Sequence, residues 1–229
     1  MRDFAKINKP VDRKLWSMTP PTVNAGYSPL NNDITFPAGI LQAPFFNPDA
    51  DDAINYGAIG AVIGHEITHG YDDSGSNFDA SGNLKKWWTS ADQKNFQSRS
   101  DCIVKQFDVF EVEPGLNMIG KLVSGESIAD LGGLTVAYQA FKKSFAGKPR
   151  PANIDGFTPE QRFFLGWAQV WASKYTTEAA RLQAQADPHP LARFRVNGPV
   201  SNMPEFAAAF ECKTSDAMVR AEKDRCQIW

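Results

Sequence analysis

Two histidines four positions apart, with a glutamate directly after the first, stand in the stretch His65-Glu66-Ile67-Thr68-His69. On a helix a four-residue step is one turn, so both imidazoles reach the same point on one face. Two ligands of a tetrahedral zinc ion need that spacing, and Glu66 projects beside them. Zinc lowers the pKa of water in contact with it towards about 7, and an adjacent carboxylate can take the proton as the water attacks a polarised carbonyl. The chemistry implied is peptide hydrolysis without a covalent intermediate, with Glu66 as general base; the pentapeptide alone also fits two histidines that merely share a helix face.

A catalytic zinc needs a third protein ligand and one open position. Glu126, in Gly125-Glu126-Ser127-Ile128-Ala129-Asp130, is the best candidate. Asp130 is four positions on and shares its helix face, so it can accept a hydrogen bond from a ligand histidine while Glu126 meets the metal. A glutamate there also suits a helix N-terminus through the dipole alone, and the spacing leaves both readings open. His189 is the one histidine besides His65 and His69.

The elements that must carry these residues are mostly helices. Ile54, Ala58, Val62, His65 and His69 recur at helical spacing and predict a helix over 53–70, with Gly70 as terminator. Gly57, Gly60 and Gly64 within it suit close packing or close approach of substrate better than helix propensity. Ser90 with Gln93, and Thr158 with Gln161, read as capping boxes opening helices towards 110 and 172. Further helices are expected over 125–145, over 176–186 and after Asn202 and Pro204. The first fifty residues hold seven prolines (Pro10, Pro20, Pro21, Pro29, Pro37, Pro44 and Pro48) and predict loops with short extended pieces over 22–27 and 34–36. Residues 73–83, rich in Gly, Ser, Asn and Asp, read as a surface loop. With no internal repeat or linker, residues 1–229 are expected to form a single, mainly α domain with a small β-sheet.

A formal net charge of -2 supplies no basic stripe for nucleic acid. No stretch approaches the roughly 20 apolar residues that span a bilayer, and residues 1–10 are polar rather than a signal sequence. No membrane contact is expected from this chain. Three cysteines, Cys102, Cys212 and Cys226, permit at most one internal bridge and leave a thiol over.

Several motifs together resemble the neprilysin (M13) family of zinc metallopeptidases. They are V-N-A-G-Y (23–27), F-P-A-G-I-L-Q-A-P-F-F (36–46), I-G-H-E-I-T-H-G-Y-D-D (63–73), G-E-S-I-A-D-L-G-G (125–133) and the C-x-x-W ending from Cys226 to Trp229. Their order and spacing cover nearly the whole chain. The resemblance implies the catalytic domain of a thermolysin-like zincin that holds one zinc ion on His65, His69 and Glu126, with Glu66 as base. Asp130 would orient His65, and Asp72 would act similarly. His189 and Arg195, in H-P-L-A-R-F-R, match the family's residues that stabilise the oxyanion and bind a substrate carbonyl, as developing negative charge requires. Asn24 and Ala25 resemble the family's edge-strand segment that aligns a peptide. Phe45, Val62 and Trp171 fall where the family builds an apolar pocket for the residue after the scissile bond, although each also reads as ordinary core.

The resemblance further implies a Cys102–Cys226 disulfide and an extracytoplasmic, periplasmic or secreted, setting. Cys212 would have its partner in an upstream region, part of a large N-terminal domain that closes over the site in the family and is absent from this chain. Gly26 and Ser127 depart from the family's usual tyrosine and asparagine without touching a ligand or the base. The expected activity is hydrolysis of peptide bonds on the amino side of hydrophobic residues. The competing expectation is a non-catalytic zinc-binding fragment that binds peptides or partner chains.

Overall fold

Prolines keep the first fifty residues from forming helices longer than one short turn, and the helices of four residues or more begin after them. The computed structural model describes residues 4–228, so Trp229 of the C-x-x-W ending lies outside the described residues. In order, the elements are β1 (Gly26–Ser28), β2 (Asp33–Thr35), α1 (Asp52–Asn55), α2 (Ala61–Thr68), α3 (Ser90–Asp108), β3 (Glu111–Glu113) and β4 (Leu116–Asn117). They continue through α4 (Ser124–Ser144), α5 (Pro159–Val170), α6 (Thr177–Ala186), α7 (Ala192–Val200) and α8 (Pro204–Ala209). The chain is mainly helical, as expected, but its strands form two separate antiparallel hairpins instead of one small sheet. β1 pairs with β2 in the register Gly26↔Thr35, Tyr27↔Ile34 and Ser28↔Asp33. β3 and β4, unforeseen from the sequence, turn through Gly115 at φ +83, a conformation glycine reaches without strain.

The expected helix over 53–70 is compound. α1 opens it, with Asp51 accepting from the Ala53 N–H as N-cap. A wider π turn, Tyr56–Gly60, follows, then α2, then a 3₁₀ turn, His69–Tyr71. Gly70 therefore lies inside the final turn instead of ending the helix. The chain turns away at Asp72, whose Oδ1 accepts from the backbone N–H groups of Ser74 and Gly75, both at 2.7 Å. Arg162 on α5 reaches Asp51 through Nε at 2.9 Å and Nη2 at 3.2 Å, pinning the start of α1.

α3 begins one residue earlier in frame than expected. Its capping box is Thr89 with Asp92, not Ser90 with Gln93. Both frames read S/T-x-x-acid or amide, and the charged Asp92, placed by the helix dipole, takes the position. The Thr158–Gln161 box at α5 forms as expected, with Pro159 in the first turn. α7 went unpredicted, because A-R-F-R-V-N-G-P has no apolar stripe and carries Pro199 inside it.

α2 packs backbone to backbone on α4. A Cβ added at Gly133 would lie 2.3 Å from the His65 amide nitrogen, and one at Gly64 would lie 2.6 Å from the Gly133 carbonyl oxygen. Gly57 is as close to Phe163, with a Cβ only 1.9 Å from that carbonyl oxygen. Gly60 is not used this way, since nothing comes within 3.4 Å of its Cβ position. Around α4 the core gathers Ile103, Phe107, Ile128, Leu134, Phe141, Phe163 and Trp167, all nearly inaccessible. Ala25, Ile40, Ile59 and Val62 form a second, smaller apolar cluster with Phe36 and Phe45 packed on it. The Cys102–Cys226 disulfide spans 124 residues of sequence and ties the chain end to α3, while Cys212 is free.

Candidate metal centre

The glycine contact decides which side chains meet. With no Cβ between them, α2 and α4 approach closely enough for Glu126, in the first turn of α4, to reach the two histidines. His65 Nε2, His69 Nε2 and a carboxylate oxygen of Glu126 all lie within 4.8 Å of one another. The two Nε2 atoms are 2.9 Å apart. Glu126 Oε2 is 3.3 Å from His65 Nε2, and Oε1 is 3.6 Å from His69 Nε2.

The remaining ring nitrogens face carboxylates. His69 Nδ1 donates to Asp72 Oδ2 at 2.6 Å. His65 Nδ1 lies 2.8 Å from Asp130 Oδ1. A carboxylate can only accept, so both Nδ1 atoms carry the proton and both Nε2 lone pairs point into the same space. Two facing lone pairs and a carboxylate demand a cation between them. The donor set of two imidazoles and one carboxylate suits zinc, and the residues therefore fit the metal.

The metal-free electrostatics agree. Burial works against a charged His65, yet Asp130 and Glu126 outweigh it and raise its pKa to about 9, so a proton occupies the cation's place. Burial likewise works against the charged carboxylates. His65 and Arg195 nevertheless hold Glu126 near 2, and Arg195 and His65 do the same for Asp130. Glu66 behaves differently: its burial raises its pKa, and the neighbouring histidines only partly offset that.

Arg195, on α7, is buried and spends Nε and Nη2 on Asp130 at 2.8 and 2.7 Å, with Nη2 also 3.3 Å from Glu126 Oε2. Its guanidinium lies 3.9 Å from the Trp171 ring centroid, and its carbonyl accepts from Trp167 Nε1 at 3.1 Å. His189 brings Nε2 to 3.3 Å from Glu126 Oε1, while its Nδ1 donates to Asp187 Oδ1 at 2.7 Å. Asp187 was not foreseen. Its position two residues before a histidine was the available signal, since aspartate commonly bonds backbone and side chain two residues on.

A cleft of about 570 Å³ opens over these groups. Its wall includes Asn24, Ala25, Phe45, Val62, His65, Glu66, His69, Asp72, Glu126, Trp171, His189 and Arg195, the sequence-predicted residues apart from Asp130. Asp130 is fully buried behind His65. Ile40 and Trp167 also line the cleft and were not singled out from the sequence. Asn24 and Ala25 do not belong to a strand; they run directly into β1 along the cleft rim.

A His-x-x-x-His helix packed on a second helix that adds a glutamate is the ligand arrangement of the zinc peptidases with two histidines and one glutamate. This chain belongs to peptidase family M13, whose family model matches residues 24–226. An endothelin-converting enzyme homolog of Locusta migratoria is 45% identical over 229 residues, covering 99% of this chain and 31% of that protein. Neprilysin-3 of Drosophila melanogaster is 42% identical, over 99% of this chain and 29% of its own length. Zinc metalloprotease ZMP1 of Mycobacterium tuberculosis, solved with an inhibitor, is similar at a TM-score of 0.95 and 47% identity, covering 100% of this chain and 36% of that one. The chain thus spans 29 to 31% of the length of those two curated relatives.

Proposed function

We propose that this chain is a zinc-dependent endopeptidase or oligopeptidase domain, holding one zinc ion and cleaving peptide bonds on the amino side of hydrophobic residues. The convergence of His65, His69 and Glu126 on one point, with Glu66 on the wall of the same cleft, carries this reading. The relatives, which include an endothelin-converting enzyme homolog and a zinc metalloprotease, support it.

His65 Nε2, His69 Nε2 and Glu126 would hold the ion, which when bound supplies a Lewis acid that acidifies water and polarises a carbonyl. Glu66 takes the proton from the attacking water and delivers it to the leaving amine. Burial raises its pKa, which makes it the stronger base for this proton. Arg195 and His189 face the place where the carbonyl oxygen gains charge, and Asp130 and Asp72 keep the two ligand imidazoles in the metal-binding tautomer. Asn24 and Ala25 align the peptide along the rim. Phe45, Val62 and Trp171 receive the apolar side chain after the scissile bond.

The test is hydrolysis of a quenched peptide with Phe or Leu after the scissile bond by the zinc-loaded chain, with and without chelator and beside Glu66→Gln. Cleavage that chelator stops and the variant lacks supports the reading. One zinc bound without cleavage moves the function to a peptide-binding fragment, or to a domain that needs upstream chain. The 29 to 31% span of the relatives favours keeping that second reading. The disulfide fits the extracytoplasmic setting the family implies.

A further inference from the structure

Two side chains at the C-terminal end of α6 converge on the turn that carries His189 to the cleft. Asp187, the residue that caps α6, uses Oδ1 twice on His189: it accepts from the backbone N–H at 2.8 Å and from Nδ1 at 2.7 Å. Gln183, one helical turn earlier, donates from Nε2 to the carbonyls of His189 and Pro190, both at 3.1 Å. The Asp187 N–H in turn bonds the Gln183 carbonyl at 3.1 Å. The His189 side chain is 48% exposed, so packing does not hold its ring. Hydrogen bonds must do so.

We propose that Gln183 and Asp187 are positioning residues that clamp the His189 turn, fixing the imidazole with Nε2 towards Glu126 and the cleft. This rests on the peptidase reading, in which His189 faces the developing oxyanion. α6 is itself braced: Ala184 is fully buried, and Arg181 pairs with Glu113 on β3 across the surface. The helix is thus a strut whose C-terminal end sets one catalytic ring. Neither Gln183 nor Asp187 meets substrate in this arrangement, and both act through His189.

The experiment compares Gln183→Ala and Asp187→Ala in the wild-type and His189→Ala backgrounds, with kcat and KM separated. The expected result is a fall in kcat of up to about 10²-fold with little change in KM, because misplacing a reacting group costs that much. In the His189→Ala background the same substitutions should cost nothing further. A loss that persists there would show a structural role and overturn the proposal, as would unchanged kcat. A second readout needs no activity. With three histidines in the chain, long-range ¹H–¹⁵N correlation resolves each ring. Wild-type His189 should show Nδ1 held as a hydrogen-bonded donor, and both variants should shift its ring signals alone. Unmoved His189 signals would sink the clamp. If wild type cleaves nothing while the ring signals shift as expected, the peptidase reading fails and the clamp stands.

Discussion

His65 and Glu126 make the metal site a competition between a proton and a cation. In the folded, metal-free chain His65 titrates near 9, above its ordinary 6.5, so its protonation stabilises the fold fully below pH 6.5 and that contribution is lost as pH rises through 9. Zinc must displace this proton, and its apparent affinity should climb with pH over the same window. Competition titrations at pH 6 and 8.5 check the direction; a flat or falling affinity would show that His65 is not a ligand. Glu126 and Asp130, held near 2, contribute stability above about 4 that disappears as pH falls towards 2. Glu66→Gln should keep one zinc and lose about 10²- to 10⁴-fold in kcat, the usual worth of a general base. Asp130→Asn should weaken zinc binding about 10- to 100-fold, as loss of a carboxylate behind a ligand histidine does. The candidate ligand residues His65, His69 and Glu126 were named from the chain. The Arg195 contact with Asp130 could not be read from it, because 65 residues separate them and no local spacing encodes the pairing.

At the scale of elements, the α2–α4 contact is the decisive joint. Gly64→Ala or Gly133→Ala forces a methyl into backbone at 2.6 or 2.3 Å and should cost about 3 kcal/mol or more, with zinc lost alongside. Gly60→Ala has room and should be neutral or stabilising by up to about 1 kcal/mol, from helix propensity alone. Thermal melts of the three variants, with zinc content measured in parallel, separate these outcomes. Equal destabilisation would mean that helix propensity, not the close approach, governs this region. The helices with apolar periodicity or a cap signal were legible: α3, α4, α5, α6 and α8 lie where periodicity and capping put them, within a residue or two. α7 was not, since its Gly198 and Pro199 read as a break. Its helix is held by packing, with Gly198 close against the Phe107 ring and the Gly198 carbonyl accepting from Gln106 Nε2 at 2.9 Å.

For the whole molecule, the 124-residue span closed by Cys102–Cys226 limits the unfolded chain more than any local contact does. Cys226→Ser should cost about 2–4 kcal/mol and lower Tm by roughly 5–15 °C, measured under oxidising conditions. A Tm unchanged by the substitution would mean that the buried chain end, with Ile228 in the core, holds without the bond. By itself the sequence determined the family and most helices and pointed to the metal chemistry, because ligand spacing and periodicity are local properties of the chain. Only the tertiary structure decided that Asp130 serves His65 and Arg195 together, that Gln183 and Asp187 address His189, and that Glu126 meets the histidines at all. Each of those depends on how far apart two backbones come to rest, and at the metal centre that distance was set by a pair of glycines on different helices.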